Sequence, residues 1–162
     1  MLNSFESTYK ENYLRLYSLV RKVINDENVA YDILQDVFVR YYEKLENGYE
    51  FRNTHNWLTR VTLNESFDYL KQKKVYVQLD EVNALAADDG PDETHRRGRM
   101  IRQAASKLKP QELKLILLYS EGYSYKEIAE MAEIKFTSVG KSLSRAICKI
   151  KEILKKNDNE MY

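Results

Sequence analysis

Apolar residues three or four positions apart run through most of this 162-residue chain, and only five glycines and two prolines interrupt them. Such spacing lines one face of an α-helix, and so few breakers leave long helices uncut. The pattern predicts an all-α protein. Phe5, Tyr9, Tyr13, Leu16, Leu19, Val20 and Val23 mark a first helix, which Asn25 and Asp26 break. Ala30, Ile33, Leu34, Val37, Phe38, Tyr41, Tyr42 and Leu45 mark a second. Asn47-Gly48 closes it, because glycine adopts the left-handed conformation that ends helices. Residues 49–53 read as a loop. Thr54 is the expected N-cap of a third helix carrying Trp57, Leu58, Val61, Phe67 and Leu70. The pattern stops near Lys74, and helicity returns from Arg99. Pro110 then opens a helix in whose first turn its missing N–H costs nothing.

Net charge is only +1, yet the charges are unevenly placed. Between Lys135 and Lys156 stand seven Lys or Arg residues against Glu152 alone; between Leu79 and Glu93 stand six acids and no base. A basic helix and an acidic connector therefore cancel in the total. The chain divides into a helical domain at 1–74, a flexible acidic linker at 75–98 and a second helical domain at 99–158. The opening segment MLNSFESTYKENY lacks the apolar core of a signal peptide. No apolar run reaches membrane-spanning length, so no membrane insertion and a cytoplasmic location are expected. Two His and one Cys offer no zinc site, and no metal or cofactor is expected. Cys148 is read as a buried, inert thiol.

Residues 122–145, GYSYKEIAEMAEIKFTSVGKSLSR, lay out two short helices around a three-residue turn. Small Ala129, beside Ile128 in the first helix, permits a close crossing, while Ile134, Val139 and Leu143 fill the space between the helices. That is a helix-turn-helix, whose second helix enters the DNA major groove. Lys135, Thr137, Ser138, Lys141, Ser142 and Arg145 are its candidate DNA contacts.

The upstream domain carries its own signature: AYDILQDVF from Ala30 to Phe38, then Phe51, then Asn56-Trp57-Leu58, then Asn64, Asp68 and Lys71. Together with the helix-turn-helix, these blocks resemble a bacterial RNA polymerase sigma factor of the small extracytoplasmic-function (ECF) type. The resemblance covers nearly the whole chain. It implies a region 2-like bundle that binds core polymerase and melts the −10 element, and a region 4-like helix-turn-helix that reads the −35 element. By position, it assigns Asp32, Gln35 and Asp36 to polymerase binding. Tyr49, Arg52, Asn53, Asn56, Asn64 and Lys71 fall to the −10 element, where the 47–53 loop would hold a flipped base. The resemblance also implies an anti-sigma partner, and a linker path through the polymerase where the six acids would stand in for RNA.

Phe38 and Leu34 read as core, as do Phe51 and Trp57. Four positions depart from the family pattern: Glu133 where turns often carry Gly, Gly140 and Ser142 where basic residues are common, and Leu63 in place of a frequently basic residue. A left-handed Glu133 costs roughly 1–2 kcal/mol, so a reshaped turn is expected. The alternative function is a dimeric helix-turn-helix regulator that does not bind polymerase. An enzyme is disfavoured, for the chain has no Gly-rich phosphate loop and no nucleophile elbow.

Overall fold

The computed structural model describes residues 2–77, 96, 100 and 103–160. Among the described residues six helices have defined bounds: α1 (Leu2–Val23), α2 (Glu27–Glu46), α3 (Thr54–Val77), α4 (Pro110–Ser120), α5 (Tyr125–Ala132) and α6 (Phe136–Asn159). The chain forms two compact units, Met1–Ala86 and Ala87–Tyr162. The acidic stretch 79–93, and the RNA-mimicking role assigned to it, lie outside the described residues. The third helix runs past its expected end near Lys74, to Val77.

In the first unit α1, α2 and α3 pack pairwise around Leu16, Val20, Ile24, Ala30, Ile33, Leu34, Val37, Phe38, Tyr41 and Leu58. Asp26 starts α2, its carboxylate accepting from the N–H groups of Asn28 (2.9 Å) and Val29 (3.2 Å). Gly48 ends that helix at φ 73°, with Tyr49 N–H on Lys44 O and Gly48 N–H on Leu45 O. These are the two bonds of a Schellman motif, which satisfy carbonyls the helix leaves open. The cap of α3 is Asn53 rather than Thr54: Asn53 Oδ1 accepts from Asn56 N–H at 3.0 Å, and Thr54 is already helical.

The α1–α3 contact contains a polar seam that apolar periodicity did not reveal. Asn12, Thr59, Thr62 and Ser66 are all buried. Thr59 and Ser66 donate to the carbonyls of His55 (3.0 Å) and Thr62 (2.8 Å), so burying their hydroxyls leaves no open donor. Arg15 donates to Thr59 Oγ1 (2.9 Å) and Asn12 Oδ1 (3.1 Å), tying the two helices together. Beside this seam lies an open cleft of about 310 Å³ lined by Thr8, Glu11, Asn12, Arg15, Thr54 and His55. Leu63 is buried in the core, which explains an apolar residue at that position.

In the second unit α6 packs along both α4 and α5, with Leu115, Leu118, Ile128, Val139, Leu143 and Ala146 inside. Pro110 occupies the first turn of α4, as expected. Glu112 accepts from Lys109 N–H (2.8 Å) and from Lys149 Nζ (3.1 Å), joining the start of α4 to α6. Those two bonds, the backbone one foremost, hold its carboxyl below the usual range.

Candidate nucleic-acid and polymerase interfaces

Hydrogen-bonded caps fix both ends of α5 in the helix-turn-helix. Ser124 and Glu127 form a capping box at the start of α5: Ser124 Oγ accepts from Glu127 N–H, and Glu127 Oε1 accepts from Ser124 N–H, both at 3.2 Å. Glu133 ends α5 in the left-handed region, φ 56° and ψ 44°. The turn is thus not reshaped to avoid the strain. Ile134 N–H bonds Ala129 O at 3.1 Å, and Gln111 of α4 donates to Ala132 O at 3.1 Å, so the surrounding bonds hold Glu133 in place.

Val139, Leu143 and Ala146 point α6 inward. Thr137, Lys141 and Arg145 are exposed on its other side, with Ser138 and Ser142 half-buried beside them, and Lys135 is exposed at its N-cap. Thr137, Lys141 and Arg145 are four residues apart and share one face. Sequence reasoning missed Phe136 at the first helical position, which is 60 % exposed. Cys148 is exposed, against the expectation of burial. It lies nine residues beyond Val139, two and a half turns, and so faces away from the core.

In the first unit the 47–53 loop is pinned by aromatic packing. Phe51 is half-buried, 5.0 Å centroid to centroid from both Tyr41 and Trp57. Tyr49 meets Phe51 edge-on at 4.8 Å and carries Lys44 Nζ 4.4 Å from its ring centre, yet remains 49 % exposed. Trp57 is half-buried and packed against the core. Arg52 and Asn53 are exposed, Asn56 and Asn64 half-buried, Lys71 exposed. Asn56, Asn64 and Lys71 fall near one face of α3 by helical spacing. Exposed Arg60 falls on the same face, one turn from Asn56, and sequence reasoning passed over it.

Asp32, Gln35 and Asp36 are exposed on α2. Among them, three or four residues from Gln35 and Asp36, stands Val39, an apolar side chain 54 % exposed. Its signal in the sequence was an apolar residue off the buried stripe. Arg40 beside it is paired with Glu65 of α3 at 2.6 Å. Among the described residues there is no cluster of metal-ligating side chains and no helix long and apolar enough to cross a membrane.

Two sigma-70 families match this chain: Sigma-70 region 2 over residues 8–75 and Sigma-70, region 4 over residues 98–150. The chain belongs to the sigma-70 family, in its ECF type. This sigma factor is 22 % identical to the ECF RNA polymerase sigma factor SigE of Mycolicibacterium smegmatis over 97 % of its length, and spans 64 % of that relative. It is 26 % identical to the RNA polymerase sigma factor SigZ of Bacillus subtilis, over 93 % of this chain and 87 % of the relative. Its fold matches the sigma factor RpoE of Bartonella quintana, solved in complex with the anti-sigma factor NepR, at a TM-score of 0.71 and 20 % identity. That match covers 94 % of this chain and 97 % of the other.

Proposed function

We propose that this sigma factor docks on core RNA polymerase through the outer face of α2, opens the −10 element with the 47–53 loop and α3, and holds the −35 element with α6. The observation that supports this best is the presence of both sigma-70 regions in one chain, in order. The α2 face offers acids around an apolar side chain, which suits a partner surface with a basic rim and an apolar centre.

At the loop, flipping a base costs a few kcal/mol, and stacking on an aromatic returns roughly 1–3 kcal/mol per base. Tyr49 supplies that ring, already held by Phe51 and Lys44, so little ordering is lost on capture. Asn56 and Asn64 serve base or sugar edges, while Arg52, Arg60 and Lys71 serve phosphates. On α6, Lys135, Lys141 and Arg145 bracket the groove and Thr137, Ser138 and Ser142 meet it.

The protein contributes no bond-making chemistry and needs no metal or cofactor. It works in the cytoplasm, where an anti-sigma protein covers its exposed faces; the Bartonella quintana complex supports that partner class. Pull-down of the full chain with purified core polymerase, followed by transcription from a promoter library, is the test. Transcripts that require both components are expected. Failure to bind polymerase, with a dimer on two half-sites instead, would replace this reading with that of an ordinary regulator.

A further inference from the structure

Phe136 opens the recognition helix with most of its ring in solvent, and among the described residues no other ring packs against it. Its inner neighbours Val139 and Leu143 already fill the space against α5, so the core does not account for it. One turn further along stands Gly140, where a Cβ would lie 3.4 Å from Cε2 of Tyr125. Tyr125, 43 % exposed at the first position of α5, thus lies along the same flank of α6 that Phe136 begins. That flank is aromatic, and Lys135, Lys126 and Lys141 around it are exposed.

The N-terminal residues of a recognition helix are the ones that meet base edges. From Lys135 to Ser144 there is no Arg, so the planar fork that reads guanine bidentately is absent until Arg145. What this end offers instead is the Phe136 ring and the Thr137 methyl group. Both are suited to apolar contact with the 5-methyl group of thymine, which only the major groove displays.

Resting on the proposed function, we infer that Phe136 is a specificity-determining residue that reads a thymine methyl group in the −35 element, with Thr137 beside it and Tyr125 walling the flank. The ring gains most where a methyl group closes over it and least where cytosine leaves the groove edge polar.

The test uses holoenzyme formed from the full chain and core polymerase. A promoter is first selected from a library randomised across the −35 element. Each of its thymines is then replaced by deoxyuridine, which removes the methyl group and nothing else. At one or two positions, open-complex formation is expected to fall about fourfold, the worth of one buried methyl group. With F136A that sensitivity is expected to vanish, while sensitivity to salt stays. Selected promoters lacking thymine at those positions, or deoxyuridine having no effect, would overturn the inference and leave polymerase-dependent transcription standing. So would F136A weakening polymerase or anti-sigma binding with methyl sensitivity intact, since the ring would then serve a protein partner. If core polymerase gives no transcription at all, the proposed function falls and this inference with it.

Discussion

The two segments proposed to meet DNA are held by different means. The 47–53 loop of the first unit is held by side chains: Phe51 sits among Tyr41, Tyr49 and Trp57, with a Schellman motif behind it and the Asn53 cap ahead. The helix-turn-helix of the second unit is held at its caps by hydrogen bonds to backbone groups: the Ser124–Glu127 box at the start of α5, the Ile134 N–H bond to Ala129 O and the Gln111 side-chain bond to Ala132 O. Apolar packing is non-directional and leaves an aromatic ring small adjustments, which suits a loop proposed to admit a base. Hydrogen-bonded caps fix an angle between two helices, which suits a groove whose shape is given.

The difference can be broken most forcefully at Phe51. Phe51→Ala removes the centre of the aromatic cluster from a half-buried site, so a loss of about 2–3 kcal/mol is expected, below the range for fully buried Phe. Denaturation of the separate units in the full chain, followed by near-UV and far-UV circular dichroism, should show the first unit weakened. A change in the melting of the second unit instead would contradict this assignment of the loop's support.

Glu133→Gly probes the opposite case. Relief of left-handed strain at about 1–2 kcal/mol exceeds the added chain entropy of glycine, so a stabilisation of about 0.5–1 kcal/mol is expected. Thermal unfolding would register it as a higher midpoint for the second unit; an unchanged or lower one would mean the Glu133 conformation carries no strain. At the other end of α5, Ser124→Ala should cost about 1 kcal/mol by removing the acceptor for Glu127 N–H. A variant as stable as the parent would show that Glu127 alone suffices as a cap.

Gly140→Ala is expected to stabilise α6 by somewhat under 1 kcal/mol, because the added Cβ meets only the edge of a half-exposed Tyr125 ring at ordinary contact distance. A destabilised variant would reveal that Tyr125 cannot yield.

The smallest effect is one of pH. The Lys109 N–H bond, foremost, and Lys149 lower the Glu112 carboxyl below its ordinary 4.5. A carboxyl depressed on folding contributes stability that is whole above its unfolded value and is lost as pH falls through the folded one. Stability of the second unit should therefore decline in acid more steeply than in Glu112→Gln, as followed by urea midpoints between neutral and acid pH. Parallel pH profiles would remove this contribution.

Much of this architecture was legible before any coordinates. The burial of Leu16, Val20, Ile33, Leu34 and Phe38 followed from spacing, and so did Pro110 in the first turn of α4. Gly48 ending α2 followed from its freedom at φ 73°. Ser124 and Glu127 carry a readable capping signature, S-x-x-E, at the start of α5. Thr59, Thr62 and Ser66 were not legible as core, because small hydroxyls count as polar until one sees them against α1, two of them bonded to their own helix. Cys148 was misassigned because proximity to apolar neighbours was taken for a shared face.

Helix positions, several helix ends and most of the inner stripe were thus determined by the sequence itself, since they depend on local geometry and on residues a few positions apart. Three things waited for the tertiary structure: the buried polar seam between α1 and α3, the left-handed Glu133 held by a bond from α4, and the exposed rings of Phe136 and Tyr125 on one flank. Each depends on which distant surfaces meet and which stay open, and no periodicity along the chain encodes that.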